Sequence, residues 1–387
     1  MKQNKFLSWL LCGALLSTGL VACDENGSTG DEPEVGKEVA FKNAILPYVD
    51  NTVIPTYKGM ADNAILMSQA CDDIYSAFQA GTLTTEMIQT AGKYWNESRA
   101  YWEKSEAWLY GPAADHNIDP HIDSWPLDKV AMDALLKRLN NGEEWSIDIA
   151  GYGLLGFHAV EYMLFELDAT GDNSLPHNTN YSEAELIYLC AVAADLRDQC
   201  LLLESAWAGF DNISAKKQNL LTEADLVVGT NYGSYMKNAG QAGSIYKTYQ
   251  AAVEDLVQGC IDIADEVGNT KIGRPANGSS SEDKNYIESP YSLNSINDFY
   301  DNIISIENAY TGSKEGDASV SDYIKSVNAA LDTEVINLIK QSKEAIRAIP
   351  EPFAKSATGP EAEKAVKVVG TDLRDKLEEV MTELSKY

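Results

Sequence analysis

Met87-Ile88-Gln89-Thr90-Ala91-Gly92-Lys93-Tyr94-Trp95-Asn96-Glu97-Ser98-Arg99-Ala100-Tyr101-Trp102-Glu103-Lys104-Ser105-Glu106-Ala107-Trp108-Leu109 repeats its large residues by sevens. Met87, Tyr94, Tyr101 and Trp108 form one line, and Ile88, Trp95, Trp102 and Leu109 a second beside it. Seven residues are close to two helical turns, so both lines share one face of a helix and make a broad stripe suited to a core. Gly111-Pro112 ends it. Upstream, residues 39–80 keep the same period, with Pro47 and Pro55 kinking or restarting the helix. Downstream, helices are expected at about 128–140, 147–168, 182–210, 217–240, 242–268, 294–310, 317–348 and 360–386. In the last, Val366, Val369, Leu373, Leu377, Val380 and Leu384 step by three or four. No run alternates as a strand does. The chain therefore reads as all-α, with a helical bundle over 39–212 and a second over 213–387.

The most informative polar residues lie in Gly156-Phe157-His158-Ala159-Val160-Glu161. On a helix, His158 and Glu161 project side by side from an otherwise apolar segment. Burying an imidazole and a carboxylate there is costly unless they serve each other, a metal or a ligand. Imidazole and carboxylate are both ligands for zinc and iron, so His158 and Glu161 are the candidate metal ligands. Neither HExxH nor HxxEH is completed here, since Tyr162 follows Glu161. Gly151, Gly153 and Gly156 match GxGxxG, but no strand precedes them, so they read as close-packing glycines rather than a dinucleotide site. Glu106 lies near the end of the aromatic helix, where a carboxylate is disfavoured by the helix dipole and calls for a partner. Arg99, seven residues earlier on the same line, is the expected partner. Glu161 and Glu106 are the candidate general bases of a hydrolytic reading.

The 387-residue chain carries 30 Lys+Arg against 59 Asp+Glu, a net charge of −29. Such a surface repels phosphate backbones and excludes nucleic acid as a partner class. Lys2 and Lys5 precede an apolar run from Phe6 to Val21, ending in Leu20-Val21-Ala22-Cys23. This resembles a bacterial lipoprotein signal over residues 1–22, with Cys23 as the acylated residue and the protein anchored to a membrane without spanning it. Residues 23–38 are acidic and Gly/Ser-rich, a flexible tether. The expected location is the outer membrane, facing the periplasm or the outside. Cys71, Cys190, Cys200 and Cys260 show no CxxC spacing and read as small buried hydrophobes.

Three ordered blocks carry a resemblance to a known family. They are Arg99 to Pro112 followed by Trp125-Pro126-Leu127-Asp128, then Gly156 to Glu161, then Glu288-Ser289-Pro290-Tyr291-Ser292 followed by Asp298 and Tyr310-Thr311-Gly312. Together they look like the imelysin family, whose hallmark is GxHxxE. The resemblance implies a two-domain, all-helical lipoprotein with the HxxE pair in a cleft between two bundles. It also implies either a metallopeptidase or a periplasmic component of bacterial iron uptake. On that footing Trp125, Asp128, Glu288 and Ser292 join Arg99 as further site residues, and a divalent metal, iron or zinc, or a small metal-bearing ligand is the expected cofactor. A non-catalytic interaction module, with the pair purely structural, is the remaining alternative.

Overall fold

The computed structural model describes residues 34–165 and 179–386. The signal, Cys23, most of the tether, and Glu166 and His177 lie outside the described residues. Among the described residues there is no strand. The helices of eight residues or more are α1 Glu34–Pro47, α2 Ile54–Ala80, α3 Thr85–Glu103, α4 Lys129–Asn140, α5 Gly156–Phe165, α6 Glu183–Ala208, α7 Ala215–Glu223, α8 Tyr249–Asp265, α9 Ser295–Thr311, α10 Val320–Val327, α11 Ala329–Arg347, α12 Pro360–Lys367 and α13 Arg374–Leu384. None is long and apolar enough to cross a membrane.

Local chemistry explains the boundaries. Thr84 caps α3 by accepting from the Met87 amide, and Ser182 and Glu185 form a reciprocal capping box at α6. Pro47 ends α1 and Pro55 sits in the first turn of α2, with a π-helical segment, Tyr48–Val53, between them. The aromatic stripe is narrower than its spacing suggests. Ile88, Trp95 and Trp102 are fully buried, whereas Tyr101 on the neighbouring line is 37% exposed. The helix also stops at Glu103, and Glu106–Trp108 continue as a 3-10 turn.

α3 packs on α2, on α5 and on α9, so it touches both halves of the chain. α1 packs against α8 and α10, elements far from it in sequence. Contacts join Glu34–Tyr387 into one unit. Two further π segments, Glu266–Lys271 after α8 and Val368–Leu373 between α12 and α13, meet at Gly268 and Gly370. A Cβ on Gly268 would lie 2.2 Å from the Gly370 Cα, so this backbone contact needs glycine on both strands of chain. The segment after α8 ends on Lys271, whose side chain is buried.

The helix carrying His158 starts later than its apolar pattern suggests, at Gly156. Gly156 has φ +74°, and a Cβ there would stand 2.1 Å from the Ile122 carbonyl oxygen. Of the three glycines in the GxGxxG match, this one makes the close approach; nothing lies near Gly151 and only the Asp128 side chain crowds Gly153, at 3.2 Å. Gly156 thereby lets the chain at Ile122-Asp123 lie against the first turn of α5. Gly156→Ala is expected to lower unfolding stability by at least about 2 kcal/mol, read by urea denaturation. A change within a few tenths would show that the contact yields easily.

Candidate functional site

The stripe on α3 builds the site. The Trp95 indole donates to the Phe157 carbonyl at 2.9 Å, holding the residue before His158. One turn on, Arg99 is fully buried, and the Trp102 indole donates to Asp123 Oδ2 at 2.7 Å. The Arg99 guanidinium pairs with Glu103 Oε1 (2.6 Å), Glu288 Oε1 (2.8 Å) and Asp123 Oδ1, with Asp298 Oδ2 3.8 Å away. Lys271 reaches the same group, 3.0 Å from Glu288 Oε1 and 3.6 Å from both Glu103 Oε2 and Glu106 Oε1. The expected Arg99–Glu106 pair is thus replaced: the cation facing Glu106 is Lys271, because Glu106 has turned out of α3 into the 3-10 segment.

His158 and Glu161 are both buried and adjacent, with His158 Nδ1 3.0 Å from Glu161 Oε2. The other oxygen, Oε1, accepts from the Tyr291 amide (3.1 Å), the Ser292 amide (2.8 Å) and the Ser292 hydroxyl (2.7 Å). A carboxylate offers about four acceptor positions, and Glu161 has four donors around it. It ties α5 to the loop before α9. In that loop Ser289 (φ 46°) and Leu293 (φ 60°) take left-handed conformations unusual for residues with a side chain, a local strain that the Glu161 bonds and the Ser295–Glu288 contact hold in place.

With Nδ1 facing Glu161, His158 Nε2 faces the ion cluster. It stands 3.2 Å from Asp123 Oδ1 but makes no hydrogen bond. Glu288 Oε2 is likewise buried without a partner. Asp123, His158 and Glu288 each bring a ligand-capable atom within 4.8 Å of the others, and Glu103, Glu106 and Asp123 form a second such trio. The Trp125 ring lies 6.4 Å from that of His158 and 5.1 Å from that of Tyr286, with Lys271 Nζ 5.5 Å from its centre. Asp128 is exposed and caps α4 through the Ala131 amide at 2.9 Å. His121 pairs with Asp195 at 2.8 Å.

The sequence profile described as Imelysin, a peptidase family by its label, matches residues 53–380. The chain belongs to the imelysin family. A curated relative, iron-regulated protein A of Synechococcus elongatus, is 26% identical over 325 residues, spanning 83% of this chain and 80% of the relative. Among solved structures, a putative iron-regulated protein A precursor from Parabacteroides distasonis matches with a TM-score of 0.75 and 26% identity, over 92% of this chain and 97% of that one. An imelysin-like protein from Psychrobacter arcticum, 12% identical over 89% of this chain and 93% of its own, shares the fold at a TM-score of 0.58.

Electrostatics divide this imelysin-family cluster in two. Burial pushes the Asp123 carboxyl up, but Arg99 and His158 outweigh it and hold Asp123 well below the usual carboxylate range. Burial pulls the His158 imidazole down, yet the carboxylates of Asp123 and Glu161 raise it to about 9. Glu288 goes the other way: burial raises it to about 7 despite Lys271. Burial also lifts Glu106 and Asp298 well above their ordinary values. Six buried carboxylates (Glu103, Glu106, Asp123, Glu161, Glu288 and Asp298) face only two permanent cations, Arg99 and Lys271.

Reading the sequence placed Arg99, Glu106, Trp125, His158, Glu161, Glu288 and Ser292 as site residues, and the fold brings these together. It did not single out Glu103, Asp123, Lys271 or Asp298 for roles. Asp123 carries a signal in hindsight, an acid two residues before Trp125-Pro126; Lys271 has none beyond being a lone cation near the end of a helix. Arg99→Ala removes the main counter-charge of buried carboxylates, so a loss of about 3–5 kcal/mol is expected at pH 7. Protonation of the freed carboxylates relieves the defect, so the gap from wild type should narrow as pH falls toward 5. Denaturation at both pH values checks the size and the sign.

Proposed function

We propose that this imelysin-family protein is an envelope lipoprotein that binds a divalent metal ion, iron by preference, through His158, Asp123 and Glu288, and serves iron acquisition. The observation that carries the reading is His158 Nε2, buried without a hydrogen bond 3.2 Å from Asp123 Oδ1 and close to Glu288, whose Oε2 is also buried without a partner. The residues fit such an ion. One imidazole and two carboxylates suit iron, manganese or zinc, and small side-chain movements bring atoms 4.8 Å apart or closer to ligand distances. When bound, the ion supplies positive charge that Arg99 and Lys271 leave lacking. Glu161 then orients rather than ligates: by accepting from Nδ1–H it fixes the tautomer that presents Nε2. The names of the relatives, iron-regulated protein A, support the choice of iron. The signal-like start ending at Cys23 supports the anchor.

A peptidase reading has one observation in its favour. Glu106 borders a cavity, makes no hydrogen bond among the described residues, with Lys271 Nζ 3.6 Å away, and has a raised pKa, as a general base requires. Peptide hydrolysis abolished by Glu106→Gln would move the assignment there.

For the binding reading, protein purified without chelator should hold a transition metal that His158→Ala loses, with at least a tenfold weaker affinity in the variant. Equal content and affinity in both would refute it. The proton on His158 must leave before Nε2 can bind. With its pKa at about 9 and that of the Glu288 ligand at about 7, apparent affinity should rise up to about a hundredfold per pH unit near pH 6 and roughly tenfold per unit near pH 8. Calorimetric titration across that range measures the slope, and a flat profile would place the ion elsewhere.

A further inference from the structure

We propose that Lys271 is the built-in competitor of the metal ion: its ammonium holds Glu288 in the metal-free protein and swings toward Glu266 when the ion takes that carboxylate. Binding is then an exchange of one cation for another, which keeps it reversible. The inference rests on the metal reading of His158 and deepens it.

The two buried cations of the cluster are held very differently. Arg99 pairs closely with three carboxylates, at 2.6 Å from Glu103, 2.8 Å from Glu288 and in contact with Asp123. Its planar fork is fixed by them. Lys271 is only 1% exposed, yet its ammonium makes one hydrogen bond, to Glu288 Oε1 at 3.0 Å. Glu103 Oε2 and Glu106 Oε1 both stand 3.6 Å off, beyond hydrogen-bond reach. An ammonium has three donors, so this one is loosely seated. Two of the carboxylates near it also have other donors. Glu288 Oε1 keeps Arg99, and Glu103 Oε2 accepts from the Asn302 amide at 2.6 Å. Lys271 is therefore the cation that can leave.

The fold offers it a destination. Lys271 closes the π segment that Glu266 opens, one i→i+5 turn away. Its Nζ lies 5.5 Å from the centre of the Trp125 ring. Trp125 and Glu266 both line the cavity of about 240 Å³ that touches Glu106 and Asp123, and both also line a wider one of about 600 Å³. At about 30 Å³ per water the smaller cavity has room for an ammonium and its hydration. A flexible four-carbon stem lets the charge move while the backbone stays. Moving to that cavity keeps the ammonium beside Glu106, the carboxylate it would otherwise strand.

The sign of one substitution separates this role from a structural one. If Lys271 only pins Glu288 in place, removing it loosens the site and weakens metal binding. If it competes, removing a like charge from the same carboxylate strengthens binding. Mn²⁺ is the probe, titrated into the full chain at physiological ionic strength. Lys271→Met should bind at least about tenfold tighter than wild type, with slower release into a chelator. Lys271→Arg, which keeps the charge, should bind no tighter than wild type. Equal or weaker binding by Lys271→Met overturns the inference and leaves the His158 site standing, as does a Lys271→Arg protein as tight as Lys271→Met. If neither wild type nor Lys271→Met binds Mn²⁺, both readings fall. Should Lys271→Met fail to fold, the wild type decides: saturating Mn²⁺ should raise acylation of Lys271 by an amine reagent, read by mass spectrometry. Unchanged labelling overturns the displacement.

Discussion

The burial of Arg99 is the constraint on which the rest depends. A guanidinium cannot shed its charge, so a fully buried one must be surrounded by acceptors from wherever the chain can bring them. Here they come from α3 itself (Glu103), from the turn before Trp125 (Asp123), from the loop before α9 (Glu288) and from α9 (Asp298). Those segments span 200 residues of sequence. Removing the arginine strips several buried carboxylates of their main counter-charge at low dielectric, which is far more costly than losing a surface pair. The arginine therefore specifies how α3, α5 and α9 meet, and the apolar stripe around it supplies the burial that gives the ion pairs their strength.

The same constraint explains why the cluster has more acid than base. A purely structural network would end near neutrality, because each surplus buried carboxylate is a cost. With every carboxyl ionised this one would not, and the surplus shows in groups that hold protons instead: Glu288 and Glu106, which burial drives upward, and His158, which its carboxylate neighbours raise. Protons can make up the difference, and so can a cation. Asp123 and Glu106 line a cavity at the edge of the cluster, and Asp123 connects that edge to His158.

What could be read from the sequence follows from range. Helix type and approximate extent depend on residues within two turns, so the periodic segments were legible. The HxxE pair was legible for the same reason, being three residues apart on one helix. Boundaries were less so. The apolar pattern through Leu154 and Leu155 continues that of α5, but Gly156 adopts a positive φ against Ile122, and no helix passes through it. The partner of Glu106 was misread because it was sought on the same helix, one line back, when the chain bends before Glu106 is reached. Lys271 owes its place to a π segment and a glycine–glycine contact with residue 370, and nothing within two turns of it encodes that meeting.

That difference in range also bears on which residues carry function. Glu161 looks like a ligand in the sequence because it stands beside His158, yet its oxygens are taken up by the imidazole and by the loop at Tyr291 and Ser292. Those bonds join α5 to the loop before α9 and hold the ring of His158 between them. The atoms left facing its Nε2 belong to Asp123 and Glu288, which no short motif contains. A motif such as GxHxxE is therefore a marker of the site's rigid half: the glycine sets the approach of Ile122, the histidine supplies the nitrogen, and the glutamate fixes it. The other half, where charge is unbalanced and a ligand can still change the energy, is assembled from long-range partners and becomes visible only once the chain is folded.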